Sequence, residues 1–181
     1  MLLLSNSNKK KFTFLFFLTF FLIGIFIFPD YGISIDEDET RIYGFISLKT
    51  VFEIFSPEYI TNINEVIAKH KYELPNFDVV IPTSGIIFDL PMAFLELIYQ
   101  IEDSRQYYLL RHFFNFLFFF ISVYFFYQLV KKRYNSWLIG IVGAMFLIVS
   151  PRIFANSFYN NKDIIFMSLS IINLYIAINF L

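Results

Sequence analysis

Long apolar runs alternate with polar segments along this chain of 181 residues. Four runs dominate the pattern, at residues 12–28, 113–130, 137–151 and 164–181. Runs of about 17 or 18 apolar residues lie at the lower end of what crosses a bilayer as an α-helix. We therefore predict four transmembrane helices. No small-residue cleavage site follows Phe28, so we interpret the first run as an anchor and not as a signal peptide.

The composition agrees with an all-α polytopic membrane protein. Hydrophobic residues make up 57% of the chain, aromatic residues 22% and charged residues only 16%, which is far from the usage of soluble domains. The chain has no cysteine, so disulfides, a thiolate nucleophile and cysteine-ligated metals are excluded. A net charge of −1, with no basic tract interleaved with aromatic residues, argues against a nucleic-acid partner.

The distribution of charge predicts how the chain crosses the membrane. Basic clusters at residues 9–11 and 131–133 abut apolar runs, as the positive-inside rule expects of cytoplasmic ends. Segments 1–11 and 131–136 are therefore predicted to be cytoplasmic, and segments 29–112 and 152–163 extracytoplasmic.

The extracytoplasmic segment 29–112 is acidic, since it holds every Asp and Glu except Asp163. Its proline and glycine residues break it repeatedly, so we expect short interfacial helices and not one packed domain. The last run, 164–181, has no polar end. We therefore expect the chain to be the amino-terminal portion of a larger helix bundle.

The candidate chemistry lies at the outer ends of these predicted spans. Asp36 and Glu37 follow the first span, Arg111 precedes the second, and Lys162 and Asp163 precede the fourth. A carboxylate can take a proton from an acceptor hydroxyl while a cation neutralises a leaving phosphate. These residue types, placed on one face, therefore suit group transfer from a phosphate-linked donor.

The order of the short motifs resembles that of the GT-C membrane glycosyltransferases, in the protein mannosyltransferase and ArnT-like branch. In chain order the motifs are Tyr31-Gly32-Ile33-Ser34-Ile35-Asp36-Glu37, Ser84-Gly85-Ile86-Ile87-Phe88-Asp89-Leu90, Arg111, Ser150-Pro151-Arg152, and Ser157-Phe158-Tyr159-Asn160-Asn161-Lys162-Asp163. Ile164 departs from the family, where a proline is frequent. The resemblance extends over nearly the whole chain.

The resemblance implies a sugar transfer from a polyprenyl-phosphate donor to a lipid, glycan or protein acceptor at the extracytoplasmic face of a bacterial inner membrane. It implies that Asp36 is the general base, with Glu37 as its acidic neighbour and Asp163 as the second acidic residue. Arg111 would contact the lipid phosphate, with Lys162 also binding substrate. No cofactor is required by this chemistry. A divalent cation held by Asp36, Asp38 and Asp163 is an alternative that the sequence does not require.

Other interpretations use the same residues differently. Four consecutive acids after a membrane helix are often a solvated loop, an arginine at a helix end often snorkels to the interface, and Asp163 could cap a helix. A polytopic transporter or lipid flippase is the alternative function, although the apolar runs contain no Asp, Glu, Lys or Arg for ion coupling. A non-catalytic membrane assembly factor is the third.

Overall fold

The computed structural model of the chain describes residues 5–55, 60–71 and 86–180. Every regular element in these residues is helical, and the predicted all-helical class is confirmed for them. The helices are α1 (Asn6–Ile27), α2 (Glu37–Phe55), α3 (Ile60–Lys71), α4 (Ile86–Ile98), α5 (Ser104–Tyr134), α6 (Trp137–Val149), α7 (Pro151–Tyr159) and α8 (Asp163–Phe180). Residues 84 and 85 of the second motif lie outside the described ranges.

Three helical stretches are long and apolar enough to cross a bilayer. They are Asn6–Asp30, Ser104–Tyr134 and Asp163–Phe180. Each contains 18 residues or more, and at about 1.5 Å per residue this length approaches the thickness of the hydrocarbon layer. The chain therefore has the character of an integral membrane protein.

The third predicted span, 137–151, is broken. Helix α6 ends at Val149, and α7 continues from Pro151 at an angle of 68°. Proline disfavours helical geometry in the residue before it, and Ser150 has the extended values φ −65° and ψ 110°. Pro151 itself suits the first position of a helix, because no N–H is needed there. A fourth span results only if the bent pair α6–α7 is taken as one crossing.

The chain folds as two compact units. The first, Met1–Gly32 with His112–Leu181, contains the three candidate spans apart from the start of α5. Its core is aromatic, with Phe17 and Phe20 of α1 against Phe116 and Phe119 of α5, all buried. Phe20 and Phe116 meet edge to face with ring centroids 5.7 Å apart, an arrangement that aromatic rings favour.

Two glycines let helices of this first unit approach each other closely. A Cβ atom on Gly24 of α1 would lie 1.9 Å from the ring of Phe116, and one on Gly140 of α6 would lie 2.9 Å from the ring of Tyr127. Small residues at helix contacts are the usual means of packing helices in lipid, where burial of apolar surface gives no driving force. The aromatic rings of α5 occupy the space that these glycines leave.

The second unit, Ile33–Arg111, is formed by α2, α3, α4 and the first turns of α5. Its apolar core is small, consisting of Phe45, Leu48, Ile63 and Ala93. Gly44 lies inside α2 and Pro91 inside α4, so neither ends a helix. These helices pair across long sequence separations that the local pattern does not reveal. That the whole segment 29–112 is too broken to form one packed domain stays a prediction.

The closest approach in the second unit joins α2 and α4. A Cβ atom on Gly44 would lie 2.4 Å from the backbone oxygen of Asp89. No side chain other than hydrogen fits between the two backbones. This contact brings the polar residues of α2 next to those of α4.

Candidate functional site

The four consecutive acids form the beginning of α2 and not a solvated loop. The amide of Thr40 donates to the carbonyl oxygen of Asp36 at 3.0 Å, so Asp36 stands at the helix start. Carboxylates at this end are stabilised by the unpaired amides and by the helix dipole. Asp36 is the one exposed member of the four, while Glu37 is buried.

The other three acids each accept a hydrogen bond within the second unit. The Glu37 carboxylate accepts from the backbone amide of Ser34 at 2.6 Å, a reach back typical of a helix start. The Tyr108 hydroxyl donates to Asp38 at 3.0 Å, and the Tyr43 hydroxyl donates to Glu39. Burial, and then the hydrogen bond to Glu39, raise the pKa of Tyr43 to about 12. Asp36 is the most exposed of the four side chains.

Beneath this helix start lies a network of buried charges centred on Glu96. Arg111 donates through Nε to Glu96 at 2.8 Å and through Nη1 to Asp89 at 2.9 Å. Arg41 of α2 donates through Nε to the second oxygen of Glu96 at 2.7 Å. All four side chains are at most 5% exposed. The network joins α2, α4 and α5.

Aromatic rings close the network on the side of α5. The guanidinium carbon of Arg41 lies 3.7 Å from the ring centroid of Tyr107 and 5.1 Å from that of Phe45. Stacking on rings suits a guanidinium, which is planar and weakly hydrated. Arg41 is thus fixed by a carboxylate at its edge and by rings on its faces.

The network contains two cations and two carboxylates, so its formal charges balance. Removing charges from water costs several kcal/mol per ion, and close pairing offsets this cost only when the geometry is good. One nitrogen of the network is not paired: Nη2 of Arg111 is buried and has no hydrogen-bond partner among the residues that the structure describes. That nitrogen is the part of Arg111 with capacity for a further acceptor.

The remaining predicted site residues belong to the first unit. Asp163 begins α8, where its amide donates to the side chain of Asn160 at 3.0 Å, and the Asn160 amide group donates back to the Asp163 carboxylate at 3.1 Å. Both bonds use the side chain of Asn160, whose oxygen caps the start of α8. Asp163 is exposed and Lys162 partly buried. Asp163 thus lies in the first turn of α8, where its charge is favourable, and its proposed catalytic role stays a prediction.

The site residues are therefore divided between the units. Asp36, Glu37 and Arg111 lie in the second unit, and Lys162 and Asp163 in the first. Their convergence on one face stays a prediction. Within residues 5–55, 60–71 and 86–180, no group of three or more His, Asp or Glu side chains is placed to hold a metal ion.

The sequence analysis did not assign a role to Arg41 or Glu96, and it quoted Asp89 only as part of a motif. The sequence does contain a signal for Asp89 and Glu96. Asp89 and Glu96 are seven residues apart, which places both on one face of a helix, and Glu96 is the one charged residue in an apolar stretch. A lone carboxylate in such a stretch needs a buried cation. The partner arginines, 15 and 55 residues away, could not be identified from spacing.

Comparison with known proteins adds no identification. No protein-family model, no curated protein and no solved structure matches the chain.

Proposed function

We propose that this chain belongs to a membrane glycosyltransferase of the GT-C type, which transfers a sugar from a polyprenyl-phosphate donor to an acceptor hydroxyl at the extracytoplasmic face. The proposal combines the order of the short motifs with the properties of the second unit. The membrane-spanning helices of the chain would form part of a GT-C-like bundle. The active face would be the side to which Asp36 points.

One observation carries the proposal: Asp36 is an exposed carboxylate at the first turn of a helix that buried charges hold in place. A general base must reach the proton that it abstracts and must keep its position. Asp36 meets the first requirement through its exposure. The pairing of Arg41 with Glu96, one turn further along α2, supports the second.

In the proposed reaction, the Asp36 carboxylate takes the proton of the acceptor hydroxyl. The acceptor oxygen forms a bond to the anomeric carbon, and the bond from that carbon to the phosphate oxygen breaks. The polyprenyl phosphate leaves with the electron pair of that bond. Because the leaving group is already an anion, a cation that stabilises its charge contributes more than a general acid.

The roles of the other residues are refined by their contacts. Glu37 holds the backbone of Ser34, so we assign it to positioning Asp36. Arg111 has two of its nitrogens committed to Glu96 and Asp89, which leaves Nη2 for a phosphate oxygen. For Asp163 and Lys162 we propose the roles that the family resemblance implies, those of the second acidic residue and of a substrate-binding cation.

The test is sugar transfer by membranes that carry the complete gene product. The donors are tritiated polyprenyl-phosphate mannose, glucose and arabinose, and the readout is label in any acceptor fraction. We expect Asp36→Asn to lower the initial rate by about 10² to 10⁴, as expected for loss of a general base. Asp30→Asn is the control, since Asp30 is also an exposed acid near the end of the first helix.

Two results would contradict the proposal. One is normal transfer by Asp36→Asn. The other is movement of the intact donor across vesicle membranes without any transfer, which is the behaviour expected of the alternative transporter or flippase.

A further inference from the structure

The first unit contains an open groove at the end of its bundle where the basic residues lie. The groove has a volume of about 920 Å³. Its walls come from the first turns of α1, the last turns of α5 and the start of α6, with Tyr175 of α8 at one side. None of these residues takes part in the proposed transfer.

The rim of the groove is cationic. Lys9 and Lys10 of α1 and Lys131 and Lys132 of α5 line it, and Lys132 also donates to the side chain of Asn179 at 2.8 Å. No carboxylate belongs to the part of its lining that the structure describes. The start of α6 also lies there, where the side chain of Ser136 accepts from the amide of Ile139. The positive end of a helix dipole adds to the field of nearby cations. The lysines, with no carboxylate beside them, favour a negatively charged occupant.

The floor of the groove is apolar and aromatic. Phe17 of α1 meets the rings of Tyr124 and Tyr127 of α5 at centroid distances of 5.4 and 5.5 Å, and Phe120 and Trp137 complete the floor. A soluble anion gains no binding energy from an apolar surface, whereas an acyl chain does by burying its own apolar surface there. The occupant should therefore be both anionic and apolar.

We propose that this groove binds an anionic phospholipid, with its phosphate among the lysines and an acyl chain along the aromatic floor. Basic pockets between membrane helices have the chemistry to hold such head groups. The two helices that form most of the groove, α1 and α5, are both long and apolar enough to span a bilayer. This inference is independent of the proposed glycosyltransferase activity.

The chain offers its own probe and matched controls. Trp137 lines the groove and is the one tryptophan of the sequence, so its fluorescence reports on that place alone. Lys11 and Arg133 belong to the same two basic clusters but do not line the groove. Lys10→Gln with Lys131→Gln removes one lining charge from each cluster. Lys11→Gln with Arg133→Gln removes as much charge from outside the groove.

The experiment measures quenching of Trp137 in the full chain, in neutral detergent micelles, by lipids with brominated acyl chains. Phosphatidylglycerol is compared with phosphatidylcholine of the same chains. We expect half-maximal quenching at a mole fraction of phosphatidylglycerol about tenfold lower, since each basic residue near a bilayer contributes several-fold. Lys10→Gln with Lys131→Gln should remove this preference, and Lys11→Gln with Arg133→Gln should keep it.

Three results would overturn the proposal. Equal quenching by the two lipids would show that the groove does not select charge. Equal losses in the two double variants would show a general effect of net charge. Reversal of quenching by millimolar inorganic phosphate, but not by sodium chloride of equal ionic strength, would show a site for a soluble anion.

Discussion

The two units of the molecule are held together by different interactions. The first unit has one contiguous cluster of ten buried apolar side chains, most of them aromatic. In the second the contiguous cluster has four, with other buried apolar side chains such as Ile42 and Met92 outside it, and a network of four buried charges lies beside them. The first unit contains long apolar helices, and the second consists largely of the acidic segment.

This difference determines which substitutions should destabilise each unit most. Rings and glycines in the first unit contribute many small dispersion contacts, so one substitution removes a fraction of the total. In the second unit Glu96 contacts both arginines at once. Loss of the Glu96 carboxylate therefore removes an ion pair from both buried arginines at once.

The largest effect is expected from Glu96→Gln. The variant keeps the shape of the side chain but loses its charge, and breaking a buried pair in this way costs about 3–5 kcal/mol. Hydrogen exchange of the backbone amides in α2 and α4 should accelerate, while exchange in α6 and α8 should not.

The matched control for Glu96→Gln is Glu53→Gln. Glu53 pairs with Lys49 at 3.9 Å on the surface of α2, and such exposed pairs contribute at most about 1 kcal/mol. Equal exchange rates in the two variants would contradict the importance of the buried charges.

A smaller effect is expected from Gly44→Ala. The added methyl group would lie 2.4 Å from the Asp89 backbone oxygen, so α2 and α4 must move apart, at a cost of about 1–3 kcal/mol for overpacking. Thermal unfolding followed by circular dichroism measures the loss. Gly32→Ala serves as the control, because nothing described lies within 4 Å of a Cβ atom there; a similar loss for both would argue against close helix packing.

In the first unit, Phe158→Leu should cost about 1 kcal/mol, the value of an aromatic pair beyond its apolar area. Phe158 is fully buried and stacks on Tyr31, with ring centroids 4.4 Å apart, and on Phe116 at 5.3 Å. The same thermal measurement applies. Phe166→Leu is the control, since Phe166 is 76% exposed, and an equal shift would remove the case for stacking.

The smallest expected effect is a loss of folding stability at alkaline pH. Because the pKa of Tyr43 is raised from 10.0 to about 12, the folded state holds this proton more tightly than the unfolded chain. Its contribution to stability is complete below pH 10.0 and is lost as the pH rises towards about 12. In the Tyr43→Phe variant, the helical circular dichroism signal should fall less over this pH window than in the unsubstituted protein. An unchanged curve would contradict the assignment of this pH dependence to Tyr43.

The sequence predicted the elements better than their association. Apolar runs identify helices that can span a bilayer because this signal is local and strong. The bend at Pro151 and the cap that the Asn160 side chain places on α8 also have local signals. The compact second unit has none, since its helices meet through contacts far apart in the chain, such as Gly44 with Asp89.

The candidate site shows the same limit. Arg111 was chosen for its place before an apolar run, but its partners depend on how α4 packs. Asp36 is exposed, Glu37 buried and Asp38 partly buried, and these differences depend on the orientation of the helix. Consecutive residues of one type cannot reveal that orientation.

The most direct measurement is a double-mutant cycle between Glu96 and Arg111, using Glu96→Gln, Arg111→Met and both together, read by hydrogen exchange of the α2 amides that follow Asp36. If the buried charges hold the helix that carries Asp36, the two losses will be non-additive by at least about 1 kcal/mol. Losses that add to within about 0.5 kcal/mol would mean that the two side chains act independently, and would contradict a charge network as the support of the candidate site.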